Sequence, residues 1–211
     1  MIRLFQPSDE AAVRHICYET SRYGQSMKGF IDDEEFIAES VIGYHLRYEP
    51  GSLFVAEENG EVVGYLSGCL DTQRYERVYV RHILPRLLRL FLSNRRWCNP
   101  NLWKLLLFSL KSAPAWKKLH GSLTAGYPAH LHSNIKPGYQ GRGLGSQLME
   151  QFLAFLKAQG VPGVHLTTGT DAGKAFFSRF QFQVLAKALM PPLAQRPSHE
   201  VWLMGRRLDG K

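Results

Sequence analysis

Apolar residues recur along this chain with two periods, and the alternation between them predicts its elements. Residues 2–5 read as a short strand. Pro7-Ser8-Asp9-Glu10 then opens a helix in which Ala12, Val13, Ile16 and Cys17 recur at helical spacing. Asp32 and Glu35 form a capping-box pattern ahead of Phe36, Ile37, Val41 and Ile42, which predicts a second helix. Residues 53–57 and 62–69 are β-rich runs separated by Asn59-Gly60, the dipeptide that tolerates the positive φ of a tight hairpin. Residues 129–135 read as a strand. Leu148, Met149, Phe152, Leu153 and Leu156 mark an amphipathic helix ending near Gly160. A strand at 164–168, a helix at 172–180 and closing strands at 182–189 and 201–206 complete the series, with a turn-rich stretch at 191–199. Residues 74–126 follow neither rhythm of the sheet. There Leu84, Leu87, Leu88 and Phe91 are expected to share a helix face with Arg86 and Arg89 off it, and 102–110 forms a second helix. This segment reads as a helical insertion in one domain spanning 1–211.

Composition narrows the function classes. The chain has 211 residues, 45% of them hydrophobic, enough to bury a core without disulfide or metal staples. Its net charge of +8 suits an anionic partner: a phosphorylated cofactor, nucleic acid or an acidic membrane surface. Most of that charge lies in 74–126, whose bland reading is a packed cap with a solvated basic face. No named nucleic-acid motif is present, so a nucleic-acid partner is not expected. Cys17, Cys69 and Cys98 are far apart and lack C-x-x-C spacing, which argues against a disulfide framework and against a zinc site built on cysteine pairs. No metal is expected. The N-terminus lacks the apolar run of a signal peptide, and no window reaches the length of a membrane span. The expectation is a soluble cytoplasmic protein.

The sharpest chemical signal is the turn Gln140-Gly141-Arg142-Gly143-Leu144-Gly145 between a strand and a helix. A helix start leaves several backbone N–H groups without intrahelical partners, and their partial positive charge favours phosphate. Glycine lets the backbone approach an anion closely, and Arg142 adds a cation. A strand-to-helix turn without a ligand would look similar. The G-x-x-x-x-G-K-[ST] spacing of a triphosphate loop and the G-x-G-x-x-G of a dinucleotide fold are both absent.

Pro137-Gly138-Tyr139-Gln140-Gly141-Arg142-Gly143-Leu144-Gly145 resembles the acyl-CoA pyrophosphate loop, Q/R-x-x-G-x-G/A, of the GNAT N-acetyltransferases. The element order agrees over nearly the whole chain. The resemblance implies an α/β fold with a mixed, mostly antiparallel central sheet flanked by helices, and an acetyl-CoA-dependent transfer of an acetyl group to an amine. It implies that Gln140, Gly141, Arg142, Gly143, Leu144, Gly145 and Ser146 surround the pyrophosphate, with Ser133 and Ile135 contacting the pantetheine arm. Asp71-Thr72, Tyr127-Pro128-Ala129-His130-Leu131-His132 and Gly163-Val164-His165-Leu166 further resemble the acetyltransferase-like domains related to O-GlcNAcases.

The chain departs from the family at its catalytic positions. The tyrosine that commonly protonates the departing thiolate is Phe177, and the glycine before the final aromatic is Gln181. An aspartate common on the fourth strand is Asn134, and the asparagine at the start of the last helix is Thr170. The remaining candidates for a base are His132, His130 and Asp71; the two histidines share a strand face with Asn134. Each has a structural reading as well: hydrogen-bonded core histidines, and a turn residue at the hairpin exit. Tyr127 is a further donor candidate, while Tyr18, Glu19, Tyr23 and Asp71 are expected to border the acceptor pocket. The acceptor is a small-molecule or protein amine, and a dimer is an open option. A non-catalytic CoA-binding module is the alternative that Phe177 and Asn134 motivate.

Overall fold

The computed structural model describes residues 1–209 except 122, 124, 125, 194 and 195. Seven strands form one sheet: β1 (Ile2–Leu4), β2 (Leu53–Glu58), β3 (Glu61–Cys69), β4 (Ala129–Ile135), β5 (Gly163–Thr168), β6 (Gln183–Met190) and β7 (His199–Arg207), in the order β1-β2-β3-β4-β5-β7-β6. Every pairing is antiparallel except that of β4 with β5. This is the mixed, mostly antiparallel α/β sheet expected. The hairpin turn is made by Asn59 and Gly60, both at positive φ (54° and 78°).

Alternation along the strands builds two core layers. Phe54, Val63, Leu66, Leu131, Val164 and Leu166 face α6 (Leu144–Ala158), meeting Leu148, Phe152 and Leu156. Leu53, Val55, Val62 and Tyr65 face α1 (Glu10–Thr20) and α2 (Glu34–Tyr48) on the other side. The aromatic layer is tight: a Cβ on Gly68 would lie 2.0 Å from the Phe152 ring, so only glycine fits there. The cap of α2 is Asp33, whose side chain accepts from Phe36 N (3.0 Å). The expected Asp32 instead accepts from Gly29 N in the preceding turn.

The insertion comprises α3 (Thr72–Val78), a π-helical turn at Tyr79–Ile83, α4 (Leu84–Leu92) and α5 (Pro100–His120). Its sequence-assigned end, at 122–126, falls partly outside the described residues, as does part of the 191–199 turn. Glu39 on α2, buried at 1% exposure, receives Arg47 (2.6 Å), Arg14 (3.4 Å) and Arg86 of α4 (3.3 Å). Arg96 pairs with Asp33 and Glu35, and Asn101 Nδ2 donates to Phe30 O. The expected α4 face is corrected: Ile83, Leu87 and Phe91 are buried, whereas Leu84 and Leu88 are exposed. The π-helical turn precedes α4, and the face that meets α2 is one residue earlier than a plain heptad reading places it.

Candidate active site

β4 and β5 pair only at Ala129 with Val164 and His130 with His165, then diverge. From Leu131 onward the edge of β4 facing β5 has no strand partner, and its backbone groups open onto a cleft of about 760 Å³. Its walls are residues 131–135 of β4, residues 166–170 of β5 and beyond, the end of α1 with Tyr23, and the turn leading into α6. Gly138, Gly141 and Gly143 take left-handed φ of 87°, 78° and 81°. Gly143 is the N-cap of α6, whose first hydrogen bond is Gln147 N to Gly143 O (3.1 Å). The amides of Leu144, Gly145 and Ser146 therefore have no carbonyl four residues back within the helix. A Cβ on Gly141 would meet no protein atom within 4 Å, and one on Gly143 only the Gln147 side chain at 3.9 Å. Their missing side chains leave space on the cleft side, a cradle shaped for an anion.

Of the residues assigned to cofactor, Ser133, Ile135, Gln140, Gly141, Gly143, Gly145 and Ser146 line the cleft. Two side chains point elsewhere. Arg142 donates to Gly138 O (3.0 Å), pairs with Glu58 (3.3 Å) and lies over the Tyr139 ring, so its charge is held behind the turn. Leu144 packs its side chain into the core and offers the cleft only backbone.

The catalytic candidates separate. Asp71 caps α3, accepting from Arg74 N (3.0 Å); it is exposed and lies on neither cavity, which corrects its reading as a base. His130 is buried against Thr72 Oγ1 (2.8 Å) and away from the cleft. Burial, then the neighbouring His132, His45 and His165, holds its pKa well below the ordinary value. Of the three candidates, His132 alone lines both the cleft and a second cavity of about 260 Å³, whose walls include Thr72, Tyr75, Glu76, His120 and His165. Burial lowers its pKa, so the imidazole is neutral near pH 7 and its lone pair is available.

Phe177 stands in the cleft wall beside Phe176, where it offers no proton. Asn134 also lines the cleft and donates to Tyr65 OH (2.8 Å) across the β3–β4 pair. Thr170 caps α7 (Asp171–Arg179) by accepting from Gly173 N (3.1 Å). Tyr127 packs its ring over Gly163 and Gly205 and accepts from His165 through its carbonyl. Tyr23 lines the cleft and not the second cavity, with Arg196 3.8 Å above its ring, whereas Tyr18 and Glu19 line neither. Sequence reasoning missed His45 of α2, fully buried beside His130 and His132; it lies 85 residues from His130, and no local pattern joins them.

Splayed parallel strands closing on a glycine-capped helix give the fold a cleft with an anion-binding helix start at one end. Residues 124–182 match the acetyltransferase (GNAT) family. The solved structure of SsHAT is 27% identical, with a TM-score of 0.70 over 99% of this chain and 98% of its own. The yncA acetyltransferase of Salmonella typhimurium, solved with acetyl-CoA, is 17% identical with a TM-score of 0.59 over 100% and 95%. The ribosomal-protein-S18-alanine N-acetyltransferase of Escherichia coli is 14% identical with a TM-score of 0.58 over the same shares, 100% and 95%. The match over residues 124–182 and the fold shared with these structures identify a GNAT-type acetyltransferase domain, of a family that uses acetyl-CoA. Among the described residues, no helix is long and apolar enough to cross a membrane.

Proposed function

We propose that the protein transfers the acetyl group of acetyl-CoA to a cationic primary amine, with His132 taking up the amine proton. The observation that carries the reading is the divergence of β4 from β5 onto the glycine turn. The amides at 143–146 would hold the diphosphate, and the unpartnered edge of β4 at Ser133 and Ile135 would hold the pantetheine arm. When bound, acetyl-CoA supplies the activated acyl group. The chain's part is to position, exclude water and move protons.

The second cavity suits the acceptor. Glu76 and the neutral imidazoles of His130, His132 and His165 there attract an ammonium, and that cavity meets the cofactor cleft at Leu131, His132, Leu166 and Thr167. Such a route brings the amine past His132 before it meets the thioester. With Phe177 in place of a donor, solvent would protonate the leaving thiolate, whose thiol pKa is near 8.5 in an ordinary setting, about as for cysteine. A cytoplasmic location fits the three free cysteines, of which Cys98 is exposed.

The test is thiol release from acetyl-CoA across a panel of polyamines, aromatic amines, aminosugars and peptides with free N-termini or lysines. One class should give stoichiometric thiol and N-acetyl product. Tight CoA binding with no release for any amine would overturn the catalytic assignment and leave the binding-module alternative.

A further inference from the structure

We propose that His45, His130 and His132 form a binding site for a divalent transition-metal ion of the zinc class, with one coordination position open to the second cavity. The three rings form a nearly equilateral triangle with centroids 5.8, 5.9 and 6.0 Å apart, and each pair is close to perpendicular (77–81°). One ring nitrogen from each lies within 4.8 Å of the others. Three imidazoles on a tetrahedral zinc, with Zn–N of about 2.0–2.1 Å, would place their centroids about 5 Å apart. Closure by about 1 Å or less, within side-chain reach, would complete the site.

The hydrogen bonds fix the lone pairs. His45 Nδ1 lies 3.0 Å from Gly68 O, which can only accept, so Nδ1 carries the proton. Its Nε2 lone pair is then buried, and that atom has no hydrogen-bond partner. Thr72 Oγ1 gives its proton to Pro128 O (2.8 Å) and so accepts from His130 Nδ1 (2.8 Å), leaving Nε2 of His130 as a lone pair too. An orphaned lone pair in a buried cluster is costly unless a cation or proton meets it. Outer oxygen acceptors on Nδ1 with Nε2 turned inward is the arrangement by which metal-binding histidines are oriented. Burial also keeps these imidazoles neutral, the form that ligates. The open position faces the cavity holding Glu76 and His120. This departs from the sequence expectation of no metal, which considered only cysteine spacings.

The ion would take the His132 lone pair. Resting on the acyl-transfer reading, metal occupancy should then inhibit acetylation. Binding itself stands apart from that reading. Tag-free protein stripped with chelator should bind one Co²⁺ with the visible bands of tetrahedral nitrogen coordination, displaced by one Zn²⁺. His45→Leu removes one of the three ligands and should weaken binding at least 100-fold, while Gly68 O keeps its hydrogen bond from Ser52 Oγ at 2.6 Å. Thr72→Val, which retains all three rings, should weaken it about 10–100-fold. If His45→Leu does not fold by circular dichroism, Thr72→Val decides. Failure of the stripped wild type to bind one equivalent, or wild-type affinity in Thr72→Val, overturns the proposal. Metal binding without inhibition leaves the site standing and removes His132 as the base.

A second inference rests on different residues. We infer that the insertion docks on an anionic lipid surface. Residues 74–120 hold eleven Lys and Arg against the single acid Glu76, a net +10 in a chain of net +8. On the same helices Val80, Leu84, Leu88 and Leu92 form an exposed stripe at i, i+4 spacing, each 51–64% exposed. On α5, Trp103, Leu106, Leu107 and Leu110 are exposed as well, and Trp103 packs against Phe91 of α4 and donates its Nε1 to Trp97 O. Apolar ridges flanked by Arg and Lys, with exposed tryptophans, match the interfacial zone of an acidic bilayer. Arg86 and Arg96 are paired with acids of α2, yet a second copy would still set one cationic face against another. The protein should co-sediment with phosphatidylcholine vesicles containing phosphatidylglycerol, and less as salt rises, but not with pure phosphatidylcholine. Leu88→Glu with Leu107→Glu should abolish this while leaving the CoA affinity unchanged. Absence of co-sedimentation, a dimer that those two changes disperse, or salt-sensitive DNA binding without vesicle binding would each overturn it.

Discussion

Gln181 sits in a conformation its side chain does not favour, at φ 62°. It follows Phe180, the C-cap of α7, and closes the helix with Gln181 N to Ser178 O (3.0 Å) and Phe182 N to Phe177 O (3.3 Å). That is the Schellman pattern, in which glycine is the favoured residue. A left-handed L-residue costs about 1–2 kcal/mol, partly offset by the extra unfolded-chain freedom of glycine. Gln181→Gly should therefore raise the unfolding free energy by about 0.5–1 kcal/mol, read by urea titration; a decrease would mean that the glutamine side chain contributes a contact worth more. His132 is the other decisive residue. As a general base it should contribute about 10²-fold or more to kcat. Because burial lowers its pKa, the acid limb of the wild-type rate profile should lie below the ordinary histidine value of 6.5. His132→Ala should lower kcat and flatten that limb; a variant that keeps the limb would move the proton to His130 or to water.

Elements explain both what could be read from the sequence and what could not. The hairpin, α1, α6, β4 and β5 are local: each is encoded in one run of apolar spacing and ended by its own glycine or polar cap, so the sequence pattern reaches them. The turn into α6 is local too, because phosphate-binding geometry needs only three glycines and a helix start. α4 is not local. Which of Leu84 or Leu87 turns inward depends on the π-helical turn before it and on α2 behind it, and neither leaves a mark in the heptad. The histidine cluster likewise joins α2 to β4 through the tertiary fold alone. Arg142 shows the same limit: charge at the turn is visible in sequence, but Glu58 and Tyr139, which hold its side chain, come from another strand and from the loop itself. The turn carries its own test. Gly143→Val should weaken CoA binding by tenfold or more, since the new side chain fills the cradle. Gly160→Val, at φ 68° past the far end of α6 with nothing within 4 Å, imposes similar backbone strain away from the cleft. Its CoA affinity, measured by calorimetry, should match the wild type; equal weakening in both variants would assign the effect to α6 as a whole.

Across the molecule, the same buried imidazoles that present lone pairs to the site set its tolerance of acid. Burial lowers the pKa of His45 to about 3 and that of His165 to about 4, and His130 and His132 are lowered as well. In the unfolded chain all four would titrate near 6.5. Between the two ranges the unfolded state binds more protons than the folded one, so stability rises with pH through that window. The contribution is complete above the unfolded value and is lost as pH falls from about 6.5 toward 3–4. Each such histidine costs about 1.4 kcal/mol per pH unit in that window. His45 and His165 alone should therefore remove about 2 kcal/mol between pH 6.5 and 5.5, since each is already half protonated in the unfolded chain at 6.5, and that is a large share of the roughly 5–15 kcal/mol typical of a folded domain. Denaturant unfolding at pH 7.0 and 5.5 should show at least that loss, and His45→Leu should reduce it by the share of one of the four histidines. A midpoint unchanged between the two pH values would mean that the cluster is protonated or solvated in the folded state. Its lone pairs would then not be free for a proton from the amine or for a metal ion.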